Sequence, residues 1–160
     1  MIQEFQKMKN ILYVFLISIL PIIELRGAIP VGAALGVEFY FNYIAAVAGN
    51  LLPVPFILLF IPKILGLLNQ YKPFKPIVSW LWKKADKHSE RVLSGAFIGL
   101  MTFVFLPLPG TGAWTGALIA SLFKLPFGRS LLAITVGVML CGVLMSLASY
   151  GVVGFLSFLI

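Results

Sequence analysis

Two opposite charges two residues apart, Glu24 and Arg26, stand inside a chain whose neighbouring windows have almost no polar face. A charged side chain at the centre of a bilayer costs about 2.5–3.5 kcal/mol on insertion scales. A chain that keeps two in one short stretch has a use for them. Gly27 and Pro30 follow at once, and both are poor residues for a helix interior, so the spacing predicts an interruption over Glu24–Pro30.

The rest of the sequence says what is interrupted. Of 160 residues, 61% are hydrophobic, against 12 Lys and Arg and 5 Asp and Glu. A soluble fold needs polar faces on its helices and strands, and several windows here have none. The apolar runs are long and continuous rather than short and alternating, which excludes a β-barrel. The fold class is an all-α integral membrane protein. Lys7 and Lys9 ahead of the apolar run Ile11–Leu20 imitate a signal peptide, but Pro21, Glu24 and Arg26 follow where a small-residue cleavage site belongs, so the segment is read as retained. The one cysteine, Cys141, excludes an intramolecular disulfide and reads as a small core hydrophobe.

The net charge of +7 is concentrated. Seven basic residues (Lys63, Lys72, Lys75, Lys83, Lys84, Lys87, Arg91) fall between 63 and 91, against Asp86 and Glu90. The positive-inside rule places this segment in the cytoplasm of a multi-pass protein of the cell membrane. Its charge serves orientation and anionic lipid headgroups; no nucleic-acid partner is expected.

Apolar segments run over 11–23, 28–41, 43–62, 95–108, 113–123 and 130–160. A span needs about 20 residues. Only 43–62 and 130–160 reach that, and the latter is long enough to expect a bend or break near Gly151 and Gly154. The short segments pair across Gly/Pro-rich breaks, Glu24–Pro30 and Pro107–Gly112. Each pair reads as a re-entrant hairpin, 11–41 and 95–123. The order recurs: Pro21 and Gly27-Ala28 against Pro107 and Gly112-Ala113, then a turn, then a span opening at Tyr43 or Leu131. One membrane domain, 1–160, thus divides into a first repeat (1–70), a linker (71–92) and a second repeat (93–160). A hairpin plus one span crosses the membrane once, so the repeats are inverted, and interrupted segments at matching positions point to a binding site where the breaks meet. The linker opens with Pro73 and Pro76, and its apolar residues at helical spacing, with Trp80 and Trp82, predict an amphipathic interfacial helix.

The candidate binding residues follow from the breaks. Glu24 can bind a proton or cation. Arg26 beside Gly27 offers a guanidinium fork for carboxylate or phosphate, and helix starts after each break favour negative charge. Pro30, Pro107, Pro109, Gly110, Thr111, Gly112 and Trp114 shape the two breaks, and the Thr111 and Thr115 hydroxyls can donate there. Asn50, beside Gly49 and ahead of Pro53 and Pro55, marks an irregular point in the first span, and Arg129 sits at the mouth of the second half. His88, the one histidine, has no cysteine near it to build a metal site. The glycines of 110–116 lack the spacing and preceding strand of a nucleotide loop. No catalytic constellation appears, and neither enzyme activity nor a cofactor is expected.

Glu24-Leu25-Arg26-Gly27-Ala28-Ile29-Pro30 together with Pro107-Leu108-Pro109-Gly110-Thr111-Gly112-Ala113-Trp114 resembles the small multidrug export protein family, across essentially the whole chain. The resemblance implies export of small molecules. The pattern is also distantly similar to the DedA superfamily, which implies two re-entrant hairpins in inverted halves and, for some members, translocation of phospholipids or lipid carriers. That superfamily places Pro-Gly in the first break and arginines near the second. Here Pro109-Gly110 lies in the second break, and Lys124 and Arg129 come well after it. The leading expectation is a small secondary transporter, proton- or ion-coupled through Glu24, working as a homo-oligomer among membrane lipids on a small-molecule or lipid substrate. The alternatives are a lipid translocase of DedA type and a non-transporting scaffold or assembly factor.

Overall fold

A computed structural model describes residues 2–71, 73, 75, 76, 79, 80, 89–108 and 110–159. The described residues form helices and turns, with no strand among them. In chain order the helices are α1 (Ile2–Ile19), α2 (Glu24–Ala34), α3 (Phe39–Leu51), α4 (Val54–Leu68), α5 (Ser89–Phe105), α6 (Ala113–Leu122) and α7 (Phe127–Leu159). Most of the expected amphipathic linker helix, with His88, lies outside the described residues, and so does Pro109.

Two stretches are long and apolar enough to cross a membrane, Phe39–Leu68 and Phe127–Val152. The first is α3 and α4 run together. Leu52 and Pro53 keep helical dihedrals between them, but Pro53 and Pro55 have no N–H for the carbonyls of Gly49 and Leu51, so the rod kinks there. The second stretch belongs to α7, whose 33 residues give about 50 Å of helix. The expected break near Gly151 and Gly154 is absent: α7 continues through both. An isolated glycine costs a helix only about 1 kcal/mol, which does not end one embedded in good helix formers. Phe56, Leu59, Phe60, Leu132 and Leu147 point outward from these stretches. In water such a surface would be unsatisfied; against lipid it is matched.

α2 and α6 are too short to span, at 11 and 10 residues. α1 starts at Ile2, well before the apolar run at Ile11, because Gln3, Glu4, Gln6 and Lys7 are good helix formers although polar. The polar end of α1 is tied to the turn after α2: the Asn10 amide donates to the Leu35 carbonyl (3.2 Å), and the Lys7 ammonium pairs with Glu38 (2.5 Å). From that level α1 runs to its end at Ile19, and α2 returns to it. The second half does the same. Leu125, Pro126 and Arg129, after α6, share a recess with Ala96 and Phe97 of α5.

Matching details recur at offsets of 86 to 88. α2 ends with Gly36 at φ 72°, its neighbour Val37 donating to Gly32; α6 ends with Lys124 at φ 51°, its neighbour Leu125 donating to Ala120. Both are the left-handed helix ending that supplies donors to the last free carbonyls. α3 lies so close to α1 that a Cβ on Gly49 would stand 2.3 Å from the Phe15 carbonyl oxygen; α7 lies so close to α5 that one on Gly137 would stand 2.7 Å from that of Met101. Across the halves, α2 packs on α7, α6 on α4, and α3 crosses α7. The core between them mixes Val, Ile and Leu with small residues, among them Ala28, Ala46, Ala113, Ala117 and Ala133, which let helix backbones approach where lipid removes the hydrophobic drive.

Candidate functional site

The first interruption comes earlier than expected. It is Leu20–Ile23, opened by Pro21, whereas Gly27 and Pro30 lie inside α2. Pro30 only withholds an N–H from the Arg26 carbonyl, and Gly27 is needed for space, since a Cβ there would stand 2.4 Å from Ile23 Cγ2. Glu24 is the first residue of α2 and has φ 51°. That left-handed conformation is costly for a residue with a side chain. It turns the carboxylate across to the second half.

The second interruption, Leu106–Gly112, meets the first. Arg26 donates from Nη2 to the carbonyls of Val104 (3.0 Å) and Leu106 (2.7 Å), and from Nη1 to those of Leu108 (2.9 Å) and Thr111. These carbonyls cluster at the C-terminal end of α5, where the helix carries partial negative charge and its last acceptors lack partners. Glu24 does the converse at the other side of the break. Its Oε1 accepts the Trp114 backbone N–H (3.3 Å), and the Ala113 N–H faces the same carboxylate, so it caps the N-terminus of α6. Gly112, at φ 144°, makes this possible: a Cβ there would lie 2.0 Å from Glu24 Oε2. In return the Trp114 indole N–H donates to the carbonyl of Ile19, the last residue of α1 (3.0 Å). Each half therefore caps a helix end of the other.

Glu24 and Arg26 do meet, but at 4.0 Å, the outer limit of an ion pair. Both side chains are largely buried, at 6% and 16% exposed. The fork expected to bind an anion already has both terminal nitrogens bonded to backbone carbonyls. Its remaining donor, Nε, is buried and without a hydrogen-bond partner. The Cys141 thiol, on α7, faces this guanidinium and lies near Glu24. Cys141 is buried as expected; its neighbours were not legible, because nothing in the sequence around 141 marks the charged pair it packs against.

A cavity of about 560 Å³ opens where the breaks meet. Pro21, Ile22, Ile23, Glu24, Arg26, Gly27, Pro107, Leu108, Gly110, Thr111 and Thr115 line it. The Thr111 hydroxyl reaches both the Leu106 and the Leu108 carbonyl (2.8 Å each) and so braces the second break. Of the sequence-derived candidates, Glu24, Arg26, Gly27, Pro107, Gly110 and Thr111 line the cavity, and Gly112 and Trp114 touch Glu24 beside it. Thr115, whose hydroxyl was expected at the second break, lines the cavity too, whereas Pro30, Asn50 and Arg129 lie apart. Pro30 borders a separate groove with Ala148, Ser149 and Val152, and Arg129 sits in the recess beyond the far end of α6. Asn50 is fully buried, and neither end of its amide has a hydrogen-bond partner. Sequence reasoning missed Ser18 and Asn42, both buried, which bond the carbonyls of Ala46 and Ile29 (2.6 and 2.8 Å) and pin the first-half helices together. Among the described residues no cluster of His, Cys, Asp and Glu could hold a metal.

No curated protein and no solved structure matches the chain. Residues 24–144, from the acid of the first break to beyond the thiol that faces it, match the family described as "Putative small multi-drug export protein", and the chain belongs to that family.

Proposed function

We propose that the protein is a small secondary exporter of the cell membrane and that its substrate chamber is the cavity between the two breaks. The observation that carries this reading is the meeting of the breaks around a largely buried carboxylate, with about 560 Å³ of space beside it. Drug-sized ligands occupy pockets of about 300–1,000 Å³. An ionisable residue at membrane depth is expensive and marks ion or substrate pathways. Glu24 is the acid through which a proton or cation would couple to export. The family description supports the same direction.

Two inverted repeats, 1–70 and 93–160, make up the transporter in this reading. Support comes from the paired close approaches at Gly49 and Gly137, the paired helix endings at Gly36 and Lys124, and the reciprocal packing of α2 on α7 and α6 on α4. Short α2, returning to the level of the polar end of α1, and short α6, returning to the level of Ala96 and Phe97 on α5, support re-entrant hairpins. Non-helical backbone at that depth needs protein cover, and the mutual capping of the breaks supplies it. The linker 63–91 is cytoplasmic and non-catalytic in this scheme, and the outward apolar faces suit lipids and a second copy of the chain. A phospholipid substrate of DedA type is the weaker reading: a phosphate needs a free guanidinium fork, and the fork of Arg26 is bonded to four backbone carbonyls. A scaffold would have no need of the chamber.

Purified protein in liposomes tests the proposal. Under an imposed pH gradient the wild type should move a lipophilic cation such as tetraphenylphosphonium, and Glu24→Gln should abolish the gradient-driven part. Undiminished transport by Glu24→Gln would remove Glu24 from the mechanism. A correctly folded wild type that moves nothing would favour the scaffold.

A further inference from the structure

The two charges of the first break do different work on the second. Arg26 holds the end of α5 through the carbonyls of Val104 and Leu106 and the break after it through those of Leu108 and Thr111, and an arginine keeps its charge at any physiological pH. Glu24 holds the start of α6 through the Trp114 N–H, with that of Ala113 facing it, and a carboxylate loses acceptor strength when its charge is neutralised. We infer that Glu24 is a latch: while charged it clamps the N-terminus of α6 onto the first break, and neutralising it frees residues 112–117 while Arg26 keeps the end of α5 and the break as far as Thr111 in place.

Four observations carry this. Glu24 reaches across the break from a left-handed backbone at φ 51°, a conformation costly for a residue with a side chain, so the contact is held against local strain. Gly112 leaves no room for a Cβ between the carboxylate and the α6 backbone, so contact is direct. Trp114 is bonded on both sides, by its N–H to Glu24 and by its indole to Ile19, so movement of the α6 start must also break the indole bond. The moving segment borders the chamber through Thr115. The titratable groups facing Glu24 are Arg26 on its own helix and Cys141 on α7; α6 presents only backbone N–H groups to it. Arg26 cannot give up its charge, so Glu24 is the member of the pair that can switch.

The latch rests on the exporter reading for its purpose but not for its test. A single-tryptophan protein, Trp80→Phe with Trp82→Phe, leaves Trp114 as the reporter at the joint. In nanodiscs, lowering the pH from 8 to 5 should red-shift Trp114 emission and open it to acrylamide, as the open population rises on the order of tenfold. Tetraphenylphosphonium at pH 8 should do the same if a bound cation, rather than a proton, neutralises Glu24. Glu24→Gln should be open at both pH values and respond to neither ligand. Glu24→Asp, which keeps the charge, provides a second responsive variant should Gln fail to fold. A Trp114 signal unmoved by both pH and cation, or moved equally in Glu24→Gln, would overturn the latch even if the wild type transports. A response without transport would retain the latch and remove the exporter.

Discussion

Arg26 is the residue whose loss the structure prices most clearly. Replacing it by alanine removes the donors to the carbonyls of Val104, Leu106, Leu108 and Thr111. Not all four are orphaned. Leu106 still accepts from the Leu108 N–H (2.8 Å), Leu108 from the Thr111 N–H (3.3 Å), and the Thr111 hydroxyl serves either. Val104 has no such substitute: four residues on, the Leu108 N–H is already directed to Leu106, and three residues on is Pro107, which has none; Thr111 also loses its donor, but it lies at the cavity wall, where water can replace it. One orphaned buried carbonyl costs about 1–3 kcal/mol. Removing the cation that faces the negative end of α5 and lies 4.0 Å from Glu24 adds about 1 kcal/mol, discounted because the cavity lets water reach both. The total is about 2–4 kcal/mol. For a chain of this size that corresponds to a fall in Tm of roughly 5–15 °C. Arg26→Lys restores the charge but offers three donors from one point in place of a planar fork, and should recover about half. Thermal unfolding of purified protein in one detergent, followed by size-exclusion chromatography, measures both. Arg26→Ala melting within about 2 °C of wild type, or Arg26→Lys falling as far as alanine, would refute the capping argument.

Three further substitutions probe the joint and the kinked span. Gly112→Ala would place a Cβ 2.0 Å from the Glu24 carboxylate at φ 144° and should lower Tm by more than about 6 °C, whereas Gly110→Ala, at φ 82° with nothing within 4 Å, should cost only the backbone strain of about 1–2 kcal/mol; equal losses would show that contact with Glu24 is not what requires the glycine. Asn50→Leu removes a buried amide that has no partner at either end and should raise stability by about 1–3 kcal/mol in the same melting assay; a fall would show that a bound guest satisfies the amide.

Which parts of this were legible in the sequence follows from the range of the interactions involved. Apolar runs of 20 residues and more are long and apolar enough for helices that cross a membrane, and α3–α4 and α7 lie where those runs are. Prolines and glycines locate interruptions, because a missing N–H or Cβ acts within one helical turn. Even so the first break was expected over Glu24–Pro30 and is found over Leu20–Ile23. Pro21 ends the helix, while Gly27 and Pro30 are tolerated within the next. The start of α1 at Ile2 was hidden for a related reason, since polar helix formers continue a helix without continuing its apolar run.

Pairing lies beyond such reasoning. Sequence by itself determined that this chain would be helical, apolar on its outer faces, twice interrupted, and charged at one interruption only. That asymmetry read as a site with all its ionisable groups on one side. Tertiary structure alone decided what those groups touch. Glu24 caps α6, Arg26 caps α5 and Trp114 caps α1, over sequence separations of 78 to 95 residues. The partners are backbone N–H and C=O groups, which every residue carries and which leave no mark in the sequence. A cap on its own helix can be recognised from the residue types beside it; a cap supplied from the other half of the molecule exists only once the halves have packed.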